Sequence, residues 1–598
     1  MFNRILQVTI LCGSLIALNA SAFWVNEQFA GQWAEAGNPD TRRGLNVQFF
    51  RTGPRDQGVL FFTAFVNDNE GNQVWTGGIA PNVTPGVDTF EVPMALTSGG
   101  NFFGGPDGDF ATRIPDFATF TVTFNSCNSL DLSWQWNNNG GPDIGSGMVN
   151  MDRGVSTIGN AGFFGPDRCV YQQAPQGCPA FSTPVQGRNC ALSGTFTNDI
   201  TLSNSYVWQL DGAVFVGNDN ADSAALTIEP GTYIFGASGT DALVVNRGSQ
   251  IFAVGTPFAP IVLTSSSDIA GGNPVPGDVG GLAIFGNAPS NNCNDPLPDC
   301  NAAFEGLTGA VFGGDDPDDD SGILKYLQIR YAGNPIVPDQ ELNALSLAGV
   351  GRGTKISYVQ THAGQDDGIE LFSGTVNLDH VVMTGVLDDN FDTDLGWRGY
   401  AQYGLIVQSA SSNDKGFEMD GNPNTNNLEP PFTRPRVANF TMIGSGGLAD
   451  NNGINLRTGT QFEGYNLFID NFGGFCIDID NPETFDQAGD ANNSAGNLTM
   501  EGSAIGSCIN GNFDDDPAEA FLVSDWFINQ GNEIGVDPQF VPGTVFPAAN
   551  SPLLNTAAAQ QGDRFDKVGY LGAFSGPDDR WTDGWTFQLD ETIDEVLN

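Results

Sequence analysis

The feature that most restricts how this chain can fold is the return of short apolar strands at intervals near 20 residues. Asp367 and Asp389, Ile369 and Phe391, Gly374 and Gly396, and Val359 and Val381 each stand 22 residues apart. Upstream, ALTIEPGTYIFG (225–236) is followed by ALVVNRGSQIFAVGTPFAPIVLTS (242–265), with Leu226 to Leu243 and Ile234 to Ile251 each 17 apart. Downstream, NFTMIG (439–444), GINLRTG (453–459), YNLFIDN (465–471), FCIDID (475–480) and NLTMEGS (497–503) keep a similar beat. The segments lack helical periodicity and are bounded by Gly, Asn and Asp. Such a repeat specifies a solenoid, because no single repeat can bury its own apolar face. Leucine-rich repeats share the period, but their Leu/Asn framework is missing. The pattern predicts a parallel β-helix over residues 193–575, each coil stacked on the next over one apolar column.

Residues 23–170 read differently. GLNVQFF, GVLFFTAFV, NQVWTGG, ATFTVTF and LDLSWQW are of strand length, and turns such as NDNEGN and NNNGGPD separate them. They predict an antiparallel β-sandwich or small barrel. Trp75, Trp134 and Trp136 are of a type that stacks on sugar rings, but core packing is their expected use. Residues 171–192, rich in Pro, Gly and Gln, read as a linker. The tail, 576–598, carries Trp581 and Trp585 and is expected to cap the end of the helix.

The start of the chain reads as an export signal, residues 1–22. MFNR is followed by the apolar ILQVTILCGSLIAL and by Ala20-Ser21-Ala22, a small-residue cleavage site before Phe23. Bulky Leu11 before Cys12 argues against a lipoprotein. No later segment approaches 18 apolar residues, so no transmembrane helix is expected. Export implies an oxidising compartment, and eight cysteines remain after cleavage, at 127, 169, 178, 190, 293, 300, 476 and 508. Cys293–Cys300 closes a local loop, Cys178–Cys190 staples the linker, and Cys127–Cys169 and Cys476–Cys508 are the preferred remaining pairs. Zinc is a poor alternative, with no CxxC pair and two His in the chain.

The charge is extreme: 22 basic residues against 70 acidic ones, a net −48. A chain this negative repels a phosphate backbone, which argues against nucleic-acid partners. It suits salty or divalent-rich surroundings and is compatible with Ca²⁺ binding.

An ordered series of motifs carries a family resemblance. LTIEPGT, RGSQIFAVGT…PIVLTS, GDVGGLAIFGNAP, FGGDDPDDDSGILKYLQIRYAG, LAGVGRGTKISYVQ, QDDGIELFSGTVN, LDDNFDTDLGWRG and WTDGWT follow one another across roughly 195–587. Together they resemble a large, mostly uncharacterised family of exported bacterial right-handed parallel β-helices. The resemblance implies an all-β, pectate-lyase-like solenoid and export, and it carries no catalytic assignment. The RxGLNVQ-like strand and the DxxGNQ-W hairpin of the first region are similar to a small β-domain of exported bacterial proteins, which settles no function.

The candidate site lies in GQDDGIELFSGTVNLDHVVMTGVLDDNFDTDLG (364–396), which holds eight acidic residues and no Lys or Arg. In a β-helix, equivalent residues of successive coils lie about 4.8 Å apart. The 22-residue register stacks Asp366 over Asp388 and Asp367 over Asp389. Each like-charge pair at that spacing costs about 3 kcal/mol at an effective dielectric near 20. Such a patch must point into water, share protons or hold a cation. A hard cation such as Ca²⁺ takes six to eight oxygens, and carboxylates with turn carbonyls supply them. Asp366, Asp367, Asp388, Asp389, Asp392 and Asp394 are the expected ligands. Glu370, expected on the other side of its strand, is a weaker candidate. GGDDPDDDSG (Asp315, Asp316, Asp318, Asp319, Asp320) reads as a solvent loop or a cation clip, without the spacing of an EF-hand. Asp414, Glu418 and Asp420 of DKGFEMDGN read as outward acids on a β-turn.

Many β-helices cleave acidic polysaccharides, by lyase chemistry with Ca²⁺ and an Arg or Lys base or by hydrolysis between clustered carboxylates. Arg398 and Lys415 follow the acidic stretch, but the GHG and RIK elements of polygalacturonase-like enzymes are absent. His362 and His380 fall on different phases of the coil and read as structural. No nucleotide-binding, HExxH or GxSxG motif is present. The sequence therefore predicts an exported β-helix scaffold or binding protein, Ca²⁺-stabilised, whose partner is an extracellular glycan or another surface component. A carbohydrate-active enzyme working at the 366–394 face is the alternative.

Overall fold

The structure is a computed structural model. It describes residues 31–35, 44–51, 58–67, 70, 73–83, 89–98, 112–126, 129–153, 177–185 and 189–597, the last apart from residues 271, 294–297, 305–306, 308, 338–339, 413, 423–429, 490–495, 516–520 and 556–563. The expected signal segment and Cys127–Cys169 lie outside the described residues. The chain divides into two compact units.

In the first unit, alternation of apolar and polar residues gives eight antiparallel strands in sequential order, from Gly31–Glu35 to Ser146–Arg153, with the first also paired to the last. Trp33, Phe62, Phe120 and Phe124 fill its core. This is the barrel alternative of the expected antiparallel fold. Trp134 is half-buried, with Nε1 donating to the Ile144 carbonyl at 3.3 Å. The Trp75 side chain lies outside the described residues.

The second unit is a parallel β-helix. Each coil carries three short strands, and each strand pairs in parallel with its counterpart one coil later. Strand Asn377–Thr384 bends at His380, so that residues 377–379 lie on a first face and 381–384 on a second; Phe391–Asp394 then forms the third. Leu378 pairs with Ala401, Val382 with Leu405 and Phe391 with Phe417. Inward residues stack into a continuous column. On the third face Leu345, Ile369, Phe391, Phe417, Ile454 and Ile477 are all fully buried. Each such side chain contributes about 1.5–3 kcal/mol.

The corner between the first two faces has a distinct cause. Tyr326, Tyr358, His380, Tyr403, Asn439 and Asn466 adopt left-handed backbone with φ of 49–62°, at a cost of roughly 1–2 kcal/mol each. Stacking offsets part of that cost: the rings of Tyr326 and Tyr358 lie 4.5 Å apart, Tyr358 and His380 4.5 Å, and His380 and Tyr403 4.7 Å. His380 is thus a structural member of a stack.

Coil length varies with corner insertions. The 22-residue register holds for Ile369 with Phe391 and for Val359 with Val381. The 17-residue spacing is not a coil: Leu226 pairs with Ile251, Ile234 with Leu263 and Leu243 with Leu282. All three strands of a coil share one alternation, so a step from face to face imitates a repeat. Cys178–Cys190, Cys293–Cys300 and Cys476–Cys508 are disulfides, as expected. In the region read as a linker, Thr183–Pro184 pairs antiparallel with Asn189–Phe196.

The tail does not cap an end. With the segment before it, from Asp566, it runs along the second face and onto the first, where outward amides receive its backbone. Gln360 Nε2 donates to the Phe587 carbonyl at 2.9 Å, and Phe587 N–H donates back to Gln360 Oε1 at 2.7 Å. Gln402 does the same for Asp566, at 3.0 and 2.8 Å. Trp585, buried, packs edge-on to Tyr326 and Tyr358. The end coil is closed by helix Val523–Asn529, which buries Val523, Trp526 and Phe527.

Candidate functional site

Strand alternation on the third face points every second residue outward, and parallel pairing stacks these residues. Ser346, Glu370, Asp392, Glu418, Asn455 and Asp478 form one outward column over six coils. A second row lies at the corner before the strands. There Asp389 N–H donates to Asp367 Oδ1 at 3.1 Å, and Lys415 N–H to Asp389 Oδ1 at 2.7 Å. The two rows bring carboxylates together in three groups, each with oxygens within 4.8 Å of one another: Asp366, Asp367 and Asp388; Asp367, Glu370 and Asp392; and Asp388, Asp389 and Asp414. Asp367 and Asp388 are each shared between two groups.

Solvation does not relieve this charge. Asp367, Glu370, Asp389, Asp392 and Glu418 expose only 5–8% of their surface. Lys415 pairs with Asp414 and, at 3.0 Å, with Glu418. Arg457 bridges Glu418 and Asp420 at 2.5 and 2.8 Å. These cations serve the downstream half. Asn343 Nδ2 donates to Glu370 Oε2 at the upstream end, and Asp392 Oδ1 is buried with no hydrogen-bond partner.

The electrostatics follow from burial. Asp367, Asp389 and Asp392 are held well above the usual carboxylate range, first by burial and then by neighbouring carboxylates. Burial and then Asp414 push Asp388 up to about 7, and burial with Asp480 does the same to Asp478. Burial alone would lower Lys415, but Asp389, Glu418 and Asp414 raise it above the ordinary lysine range. Without a bound cation the row is stable only by retaining protons. An all-oxygen, all-carboxylate donor set fits a hard divalent cation such as Ca²⁺ and is poorly matched to softer metals.

The structure rearranges the expected ligand set. Asp366, Asp367, Asp388, Asp389 and Asp392 come together, but Asp394 joins none of the three groups and its Oδ1 accepts from Leu395 N–H at 2.5 Å. Glu370, expected on the opposite side of its strand, shares the side of Asp392, because Ile369 and Leu371 take the inward positions. Asp414 and Glu418, read as outward turn acids, belong to the site. The signal for Glu418 was present: GIELF, NFDTD, GFEMD, GINLR and CIDID repeat one apolar–polar alternation, with the second polar position filled by Asp or Arg in the last four.

Other expected candidates lie elsewhere. Asp319 of the GGDDPDDDSG run is buried and accepts from Asn287 N–H at 2.9 Å and Ser321 Oγ at 3.1 Å, while Asp318 pairs with Arg352 at 2.6 Å. That loop is held by its own hydrogen bonds. His362 lies on the second face, with Nε2 3.0 Å from Gln588 Oε1 and Nδ1 2.8 Å from Thr384 Oγ1. Burial and then Arg330 lower it to about 4.

Comparisons with curated proteins and with solved structures give no significant match. The family model of the pectate-lyase-like β-helix domain matches residues 194–546, more than half of the chain, and the protein belongs to that family.

Proposed function

We propose that the protein is an exported β-helix that loads divalent cations, Ca²⁺ foremost, on its third face and uses the loaded face to hold an acidic extracellular glycan. One observation carries this reading: a buried Asp392 oxygen without a hydrogen-bond partner stands among Asp367 and Glu370. A chain of net charge −48 repels a uronate polymer, and at the acidic third face only a bridging cation offsets that repulsion. Membership of a pectate-lyase-like family supports a carbohydrate-related role, although fold alone assigns no activity. The three disulfides fit an oxidising, extracellular setting.

A second reading, polysaccharide cleavage at the same face, is favoured by Lys415 and Arg457 set among the acids. A glycan array probed with Ca²⁺ and with EDTA tests both. Ca²⁺-dependent retention of acidic glycans supports the binding role, and shortened or unsaturated products identify an enzyme. Retention that is equal with Ca²⁺ and with EDTA would contradict the cation bridge.

A further inference from the structure

Arginines are scarce in this chain, and four of those described each have an acid of their own: Arg247 has Asp219, Arg330 Asp268, Arg352 Asp318, and Arg457 two carboxylates. One group departs from that pattern. At the corner between the third and first faces, Arg434 N–H donates to the Trp397 carbonyl at 2.7 Å and Arg436 N–H to the Gly399 carbonyl at 3.3 Å. These bonds place three arginines from two successive coils together. Arg434 Nη2 and Arg436 Nε meet the same oxygen, Glu463 Oε1, at 2.6 and 3.2 Å. Arg436 Nη1 also donates to the Arg398 carbonyl at 2.9 Å, and its guanidinium lies 4.9 Å from the centre of the Tyr400 ring. Arg398 itself is exposed.

Two guanidiniums therefore share one carboxylate oxygen, and the backbone of a third arginine, Arg398, lies against one of them. Arg434 Nε is buried with no hydrogen-bond partner. Partial burial, and then the charges of Arg436 and Arg434, lower the Arg398 pKa. A protein with 70 acidic residues does not lack carboxylates for this corner. Guanidinium forks recognise planar or tetrahedral oxyanions by paired N–H donors, and a neighbouring ring favours a sugar.

We propose that Arg398, Arg434 and Arg436 form an oxyanion site that takes the carboxylate or sulfate group of an acidic saccharide. The site needs no divalent cation and stands whether or not the third face binds one. Glu463 holds it in the empty state and is the group that a ligand displaces.

The test is calorimetric titration of the full chain in EDTA with trigalacturonate, a sulfated disaccharide, their uncharged counterparts and inorganic sulfate. One or both charged saccharides bind and the neutral ones do not; which of the two binds identifies the oxyanion. Arg398→Gln and Arg434→Gln each weaken binding roughly tenfold or more, the scale of a lost charge-assisted hydrogen bond. Glu463→Gln tightens it, an effect opposite to that of any merely destabilising change. Arg398→Gln, at an exposed position, keeps the wild-type melting temperature. The proposal is overturned if no charged saccharide binds, if inorganic sulfate alone binds, or if both arginine variants bind as the wild type does.

Discussion

The second and third faces of the helix are made from the same coils, yet their outward columns meet opposite fates. On the second face the outward residues include Gln328, Gln360 and His362, and on the first face beside it Gln402, and the C-terminal part of the chain satisfies them. Its backbone pairs with Gln360 and Gln402 in both directions, and Trp585 covers the aromatic corner. On the third face the column carries Glu370, Asp392, Glu418 and Asp478, and no segment of comparable kind completes it among the described residues. Stacking turns either kind of residue into a ladder. A neutral amide ladder can be matched by a peptide, which offers one donor and one acceptor per residue. A buried carboxylate ladder accepts a few amide donors, as from Asn343 and Asn455, but its charge can be offset only by protons or by positive charge.

This contrast can be broken from either side. The largest effect is expected from Trp585→Ala: if the tail is an integral cover, the change costs about 3–5 kcal/mol in a denaturant titration. A loss under 1 kcal/mol would mean that the tail merely rests on the helix. Gln360→Ala should cost about 1–3 kcal/mol, because the Phe587 N–H and carbonyl lose their partner in a buried place.

The faces should also respond to pH in opposite directions. Asp388 and Asp478, at about 7 in the folded chain against roughly 3.9 unfolded, bind more protons when folded. In EDTA their contribution makes stability fall as pH rises between about 4 and 7. Ca²⁺ should flatten that slope. His362, at about 4 folded against roughly 6.5 unfolded, binds fewer protons when folded, so its contribution is lost as pH falls from about 6.5 to 4. The smallest effect is therefore that His362→Gln steepens the gain in stability of the EDTA-treated protein on acidification. Melting temperatures measured across pH 4–8 for both proteins, with and without Ca²⁺, check all these signs.

The solenoid was legible because inward residues repeat: Ile369 and Phe391 announce a coil at 22 residues. The acidic stack at 366–389 followed from the same register. Glu418 was read as an outward turn acid because the insertion before Asp414 lengthens that coil, so Phe391 pairs with Phe417 at a different spacing and the column is hidden from a fixed period. Asp394 was included because it shares a coil with Asp388 and Asp389, although the coil alone does not decide which oxygens converge. The course of the tail was not legible. Gln360 and Phe587 are 227 residues apart, and nothing in either local sequence names the other.

The central claim is that the third face exchanges protons for a divalent cation, and calcium titration calorimetry on the EDTA-stripped, desalted full chain tests it most directly. Run near pH 6 in two buffers of different ionisation enthalpy, wild type should bind Ca²⁺ with proton release, more tightly at pH 7.5 than at pH 5. Asp392→Asn should weaken binding about 100-fold, on the scale of a lost charged ligand, and raise the melting temperature of the cation-free protein. Absence of binding, or equal binding by wild type and Asp392→Asn without proton release, would contradict the account.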